Sequence, residues 1–248
     1  LTLLSAIVLT LNEEKHLPDC LKSLAWADEI IVFDSFSTDG TVEIARAAGA
    51  RVLQRQFDHY AGQRNAALKS TSAEWVFFVD ADERATPELA AEIKCKLAQP
   101  QAGWWAPRHN YIFGKLTKYA GWFPDYQLRL LRRAHARYAP DRVVHELVEL
   151  NGAEGYLQNP LIHLNYETVE EFIRKQTYYA RYDADRLQRE GIKFRARQLL
   201  TMPLRQFWWR FFTLRGWKDG WHGLRLSLLM SRFELEKYRL LKSLQTPQ

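Results

Sequence analysis

The sequence predicts an α/β protein: a mixed, mostly parallel sheet with helices on both faces, followed by a C-terminal helical extension. Three observations carry this. Apolar runs of strand length alternate with helical patterns from the amino terminus to about Ala98, as in parallel strands linked by crossover helices. Those runs are continuously apolar rather than alternating, as strands covered on both faces are. After Pro100 the pattern changes to strands separated by Gly and Pro, and after Thr168 to long helical patterns. The 248 residues suffice for one large α/β domain with an appendage. Residues 1–166 are read as the sheet domain, divided into halves 1–98 and 99–166, and residues 167–248 as the helical extension.

Leu3 to Thr10 reads as the first buried strand, and Asn12 opens a helical pattern through Leu17, Cys20, Leu21 and Leu24. Glu29 to Asp34 is the second strand, Ser35 to Gly40 a loop, and Thr41 to Ala48 a short helix ended by Gly49. Arg51 to Gln54 is the third strand, Gly62 to Lys69 a helix, and Glu74 to Val79 the fourth strand. Thr86-Pro87-Glu88 starts a helix with a capping hydroxyl, a proline where no N–H is needed, and an acid that complements the dipole. Trp104 to Phe113 and Tyr126 to Leu131 read as strands that complete the sheet. Thr168-x-x-Glu171 is a capping box for a helix to about Glu190. A second capped helix is expected near Thr201 and Pro203, and a third over Gly223 to Ser243. Arg225, Arg232 and Arg239 recur at heptad spacing and so lie along one side of that last helix.

Charge is unevenly spread. The formal net charge is +6, but from Lys193 onward twelve Lys and Arg stand against three acids, leaving the remainder slightly acidic. In this tail Trp208, Trp209, Phe211, Phe212, Trp217 and Trp221 interleave with Arg205, Arg210, Arg215 and Lys218. Such a segment suits peripheral contact with an anionic membrane surface, packing onto the preceding domain, or a homo-oligomer contact. Basic aromatic composition also suggests a nucleic-acid-binding protein. Cys20 and Cys95 lie far apart, with neither metal-ligand spacing nor a disulfide framework, which fits a reducing, cytoplasmic compartment. The chain opens on Leu1, shows no signal peptide, and has no apolar run of the roughly 18 residues a spanning helix needs.

The fourth strand carries the sharpest chemical signal. Trp75-Val76-Phe77-Phe78-Val79 ends in Asp80-Ala81-Asp82. On an extended backbone residues i and i+2 point the same way, so both carboxylates can face one hard divalent cation that neutralises a leaving diphosphate. The plain alternative is an exposed acidic turn. Asp34 also ends an apolar strand, where it accepts a base N–H or forms an Asx turn. Arg64 offers a guanidinium for a diphosphate or base carbonyl, or is a solvated helix residue. Arg129, in an apolar strand, must meet a carboxylate or phosphate, since an unpaired buried charge is costly. A nucleic-acid-binding reading leaves Asp80 and Asp82 unexplained, because carboxylates repel phosphates unless a metal intervenes.

The blocks Ile7-Val8-Leu9-Thr10-Leu11-Asn12-Glu13-Glu14, Val32-Phe33-Asp34-Ser35-Phe36-Ser37-Thr38-Asp39-Gly40-Thr41 and Phe78-Val79-Asp80-Ala81-Asp82-Glu83 resemble, in this order, the family 2 glycosyltransferases. The resemblance implies a GT-A fold, an inverting hexosyl transfer and dependence on Mg²⁺ or Mn²⁺. It places Thr10, Asn12 and Glu13 along the nucleotide pocket, Asp34 on the base, usually uracil, and Arg64 near the nucleotide. Asp80 would meet the ribose or metal, with Ala81 beside it at the donor, and Asp82 the metal. The family often has an aromatic where Leu11 stands, and its usual Asp-Asp-Gly-Ser is here Asp34-Ser35-Phe36-Ser37. Gly121-Trp122-Phe123-Pro124-Asp125-Tyr126-Gln127-Leu128-Arg129-Leu130, then Val144-His145-Glu146, and the segment Phe211 to Leu224 resemble the lipopolysaccharide core β-1,4-glucosyltransferases. Those transfer glucose from UDP-glucose to an inner-core heptose.

An inverting transfer needs a carboxylate to take the proton from the attacking hydroxyl. Asp125 and Glu146 are the candidates, with a lean to Glu146, and His145 is a candidate third metal ligand by analogy with GT-A enzymes that recruit a late histidine. Their plain alternatives are a turn residue after Pro124, an ion-pair partner for Arg129 or Arg142, and an ordinary satisfied histidine. Arg129 is a candidate for acceptor or phosphate binding. The expected enzyme moves a hexose, glucose by preference, from a UDP-sugar to a lipid-linked glycan at the inner face of the bacterial inner membrane. A polyprenyl-phosphate sugar synthase shares the donor blocks and is the alternative enzyme.

Overall fold

The computed structural model describes residues 3–139 and 148–245. They form two compact units, one from residues 3–108, 125–139 and 148–163, the other from residues 109–124 and 164–245. In chain order the elements begin β1 (Leu4–Thr10), α1 (Leu17–Ser23), β2 (Glu29–Asp34), α2 (Thr41–Ala47), β3 (Arg51–Gln54) and α3 (Tyr60–Lys69). Next come β4 (Trp75–Asp80), β5 (Glu83–Ala85), α4 (Pro87–Lys96), β6 (Gly103–Ile112), β7 (Lys115–Leu116) and β8 (Tyr126–Arg132). The chain continues with β9 (Ala136–Tyr138), β10 (Val148–Leu150), β11 (Glu154–Tyr156), β12 (Leu161–Tyr166), α5 (Val169–Arg189), α6 (Gln198–Trp208) and α7 (Gly220–Gln245).

In the first unit β1 pairs in parallel with β2 on one flank and β4 on the other, β3 lies outside β2, and β8 and β6 add antiparallel beyond β4. The chain steps outward from β1 to β3 and then returns to β4 on the opposite flank. The gap beyond the carboxyl ends of β1 and β4 is thus the point where strand order reverses, which is where ligands bind in open α/β sheets. The continuous apolar strands follow from two covered faces. Ala6, Val8, Phe77 and Val79 pack with Leu17 and Leu21 of α1 and Leu89 and Ile93 of α4. Their neighbours Ile7, Val76 and Phe78 point the other way, onto Ala61, Ala67 and Leu68 of α3. Trp75, Phe77 and Phe78 are fully buried, each contributing about 2 kcal/mol of apolar burial.

Local signals set the helix starts. The Thr86 hydroxyl accepts from the Leu89 N–H, capping α4 as expected. The helix expected from Asn12 begins only at Leu17, because Asn12 is left-handed (φ 57°) and turns the chain out of β1. In the second unit Thr168 Oγ1 accepts from the Glu171 N–H and caps α5, and the Glu171 carboxylate accepts from the N–H of Glu167, one residue before the cap. The helix expected near Thr201 starts earlier, at Gln198, and contains Pro203. Thr201 is a helix residue whose hydroxyl donates to the Arg197 carbonyl, so it caps nothing. Past Trp208 the chain continues as a π-helical turn, Trp209–Thr213.

The core of the second unit joins Ile112, Tyr166, Phe172, Leu226 and Phe233, with a further cluster at Ala184, Tyr238 and Leu241. Residues 109–124, read from sequence with the sheet domain, group here with the helices. Gly223 approaches its neighbour so closely that a Cβ would lie 1.9 Å from the Gly216 carbonyl oxygen. Arg225, Arg232 and Arg239 are all exposed on α7. No helix among the described residues is long and apolar enough to cross a membrane.

Candidate active site

The first unit gathers the predicted donor residues at one sheet edge. Register places Thr10 beside Asp34 and Leu9 beside Asp80, so the ends of β2, β1 and β4 lie side by side. The loops after β1 and β2 clasp each other: the Asn12 N–H donates to Ser37 Oγ, the Thr38 N–H to Asn12 Oδ1, and the Glu13 N–H to Thr41 Oγ1. The left-handed turn at Asn12 delivers these groups.

Asp34 is fully buried and saturated. Its carboxylate accepts from the Thr10 hydroxyl (3.0 Å), from the Ser37 N–H and hydroxyl, and from Gln54 Nε2 (3.1 Å). Burial alone would raise its pKa, but the hydrogen bonds, led by Ser37 and Gln54, hold it below the usual carboxylate range. Direct pairing with a base would require one of these donors to leave. Asp34 and Thr10 instead shape the clasp, and the groups the clasp exposes are Leu11 and Phe36. Phe36 carries φ 63°, a conformation that strains any residue with a Cβ.

The acidic end of β4 sits in a lattice of guanidinium groups. Arg129 on β8 bridges Asp80 and Glu83, lying 2.7 Å from Glu83 Oε1 and closer still to Asp80. Arg64 on α3 makes a 3.5 Å ion pair with Asp80 and lies over the Phe78 ring at 5.0 Å. Arg108 on β6 reaches Glu83 at 3.3 Å and Asp125 at 2.7 Å. Burial would raise the Asp80 pKa, but Arg129 and then Arg64 outweigh it and hold the carboxyl well below its usual range. Burial would likewise lower the Arg129 pKa, but Asp80 and Glu83 raise it further above its ordinary value. The requirement that Arg129 find a carboxylate or phosphate is met by carboxylates.

Asp80 and Asp82 do not share one strand face. Strand β4 ends at Asp80 and residues 81–82 form a turn, so the alternation of an extended backbone does not reach Asp82. The buried Glu83 side chain closes this turn by accepting from the Asp80 N–H at 2.9 Å, and Arg84 donates to the carbonyl of Ala81, itself buried. The antiparallel pairing of β12 with β5 sets His163 opposite Glu83, and His163 Nε2 lies 3.4 Å from Asp82 Oδ2. Among the described residues no group of three or more His, Cys, Asp or Glu could hold a metal. The Asp82–His163 pair supplies one carboxylate oxygen and one imidazole nitrogen. That donor set fits a divalent cation whose other positions go to diphosphate oxygens and water.

Asp125 is braced: Arg108 Nε donates to Oδ2 and Gln127 Nε2 to Oδ1, both at 2.9 Å. His145 and Glu146 lie outside the described residues. Sequence reasoning passed over Glu83, Arg108 and His163. Arg108 carried the same signal as Arg129, a charge within an apolar strand pattern. His163 carried none, because a lone histidine in Leu161-Ile162-His163-Leu164 reads as an ordinary strand residue.

The family model described as Glycosyl transferase family 2 matches residues 5–145. The chain is 33% identical over 233 residues to LpsC of Rhizobium meliloti, a lipopolysaccharide core biosynthesis glycosyltransferase, across 89% of this chain and 84% of that protein. It is 28% identical over 250 residues to an uncharacterized glycosyltransferase of Rickettsia typhi, across 92% and 82% of the two chains. Among solved structures, glucosyl-3-phosphoglycerate synthase from Mycobacterium tuberculosis, in complex with Mn²⁺, UDP and glucosyl-3-phosphoglycerate, aligns at 20% identity with a TM-score of 0.48. That alignment covers 77% of this chain and 81% of the other.

Proposed function

This chain belongs to glycosyl transferase family 2 and has the GT-A type of α/β architecture, and from that premise we propose that it moves a hexose, glucose by preference, from a UDP-sugar to an inner-core glycan of lipopolysaccharide. The observation that carries the donor half is convergence. Thr10 and Asn12 at the end of β1, Asp34 at the end of β2, Asp80 and Asp82 at the end of β4, and Arg64 of α3 through its ion pair with Asp80 meet at the switch point of the sheet. The relationship to LpsC supports the acceptor class. A lipid-linked acceptor would place the enzyme at the inner face of the bacterial inner membrane.

In this reading the exposed Leu11 and Phe36 flank the uracil ring, and the clasp of Asn12 with Ser37 and Thr38 holds them in place. Asp80, fixed by Arg64 and Arg129, offers its exposed edge to a ribose hydroxyl. When bound, Mg²⁺ or Mn²⁺ supplies charge neutralisation for the departing diphosphate, and Asp82 with His163 would hold it, with His145 a further candidate ligand. On the acceptor side a carboxylate takes the proton from the attacking hydroxyl. The hydroxyl oxygen bonds to the anomeric carbon, the bond from that carbon to the diphosphate breaks, UDP departs, and the configuration inverts. Both Asp125 oxygens already accept hydrogen bonds, which favours Glu146 as base and leaves Asp125 to orient Arg108.

The test is transfer from UDP-glucose, UDP-galactose and UDP-N-acetylglucosamine to a heptose-containing acceptor, with polyprenyl phosphate as the competing acceptor. Asp82→Ala and His163→Ala should each lower metal-dependent transfer about 10³-fold while the circular dichroism spectrum is unchanged. Glu146→Gln should abolish transfer but leave UDP affinity intact. Full activity of Asp82→Ala removes the metal assignment, and product formed only on polyprenyl phosphate replaces the acceptor assignment.

A further inference from the structure

The second unit carries a surface that sugar transfer does not explain. Leu200, Leu204 and Trp208 follow one another at intervals of four along α6, and all are well exposed, at 66%, 58% and 62%. Residues four apart lie on one helix face, so they make a continuous outward apolar stripe. Phe212 continues it, with its ring 4.3 Å from that of Trp208. Trp209, Trp217 and Trp221 are exposed nearby in sequence. An apolar stripe of this extent is unusual on a surface that meets only water.

A cavity of about 580 Å³ opens at the start of the same helix, lined by Lys193, Arg195, Arg197, Gln198 and Thr201 among others. Lys193, Arg195 and Arg197 are exposed, and none of them pairs with a carboxylate among the described residues. Between Glu190 and Asp219 the sequence holds seven Lys and Arg and no acid. Arg210, expected to join the outward cations, is turned inward. It donates to the Ala120 carbonyl at 2.6 Å and lies over the Trp122 ring, and burial lowers its pKa to about 10. Arg205, next to Leu204 on α6, is exposed.

We propose that α6 is an in-plane membrane anchor: its Leu200–Leu204–Trp208 stripe enters the headgroup boundary of an anionic bilayer, and the cation-lined cavity at its start takes a lipid phosphate. Tryptophan and leucine on one side with arginine and lysine beside them is the composition that binds at this depth. Charge decides the occupant. A second copy of this acid-free segment would meet its own positive charge, whereas an anionic leaflet attracts each cation. The purpose rests on the proposed lipid-linked acceptor, but the binding does not.

The experiment is vesicle co-sedimentation of the full chain with phosphatidylglycerol-containing and pure phosphatidylcholine vesicles, with UDP affinity measured on the same samples. Binding to the anionic vesicles is expected, and it should weaken as salt rises. The triple variant Lys193→Ala/Arg195→Ala/Arg197→Ala should bind them about 100-fold more weakly. Leu204→Glu and Trp208→Glu, both at exposed positions, should abolish binding with unchanged melting temperature. Wild-type indifference to anionic vesicles overturns the proposal. So does binding that survives both sets of variants, uptake of inorganic phosphate without any vesicle binding, or a loss of self-association as the only effect of the stripe variants. Unchanged UDP affinity in each case leaves the sugar-transfer reading standing.

Discussion

The two units of this chain use positive charge in opposite ways. In the sheet unit Arg64, Arg108 and Arg129 are turned inward, each within 3.5 Å of a carboxylate, and Arg64 and Arg129 are almost wholly buried. In the helical unit Lys193, Arg195, Arg197, Arg225, Arg232 and Arg239 are exposed. A guanidinium in low dielectric is tolerated only where carboxylates compensate it, and it then fixes its partners in place. A solvated one fixes nothing and remains available to an external anion. The contrast separates a region whose charges hold one another in place from one whose charges face solvent, and it can be tested by cutting charges in each.

The largest effect should come from Arg129→Met. It removes the bridge between Asp80 and the fully buried Glu83 and leaves two carboxylates partly uncompensated. Urea denaturation is expected to show a loss of about 3–5 kcal/mol. Adding Glu83→Gln should restore part of it, since the two sites interact directly. A loss under about 1 kcal/mol, the size typical of surface pairs, would erase the distinction between the units.

Asp34→Asn cuts the second inward network. The amide presents an N–H₂ group to donors from Thr10, Ser37 or Gln54, at an expected cost of about 1–3 kcal/mol near neutral pH. The pH dependence fixes the cause. Because the folded-state pKa of Asp34 is lowered, its contribution is fully present above the unfolded value of about 3.9. As pH falls further, through the folded value, it is lost. Asp80 adds to the same acid limb. The difference in melting temperature between wild type and Asp34→Asn should therefore shrink below about pH 4. A difference that stays constant to the acid end would mean that packing, rather than the charge, holds the loop.

Much of the sheet unit could be read from the chain, because covered strands and helix caps are local patterns. Leu4 to Thr10 and Trp75 to Asp80 announce themselves as strands, and Thr86 as a cap. The Arg129 partner class followed from the cost of an unpaired buried charge. What failed depended on a turn or on distant pairing. The separation of Asp80 from Asp82 is decided by Glu83 reaching back to the Asp80 N–H. The approach of His163 to Asp82 is decided by a strand register linking residues 161–163 to 83–85. In the helical unit the composition of the tail was plain, but the inward turn of Arg210 depended on contacts with residues 120–122.

Phe36→Gly should move stability and binding in opposite directions. Relief of the left-handed conformation at φ 63° gains about 1–2 kcal/mol, less the roughly 0.4–1 kcal/mol of extra freedom glycine has when unfolded. The melting temperature is expected to rise slightly while UDP affinity falls. A rise with unchanged affinity for UDP would make the exposed ring incidental to the base.

The smallest effects are expected on α7, where Arg225, Arg232 and Arg239 can be changed to Gln one at a time. None of the three makes an ion pair among the described residues, so each substitution should stay within about 0.5 kcal/mol in urea denaturation. The three should still rank. Arg225 lies 4.7 Å from the centroid of the Phe113 ring and Arg232 lies 5.8 Å from that of Phe233. A solvated guanidinium against a ring contributes about 0.5 kcal/mol, and the closer contact is the stronger. Arg225→Gln should therefore cost most and Arg239→Gln least. A loss of several kcal/mol at Arg239 would mean that outward charge in this unit is structural after all. Its exposed cations would then no longer contrast with the inward lattice around Asp80.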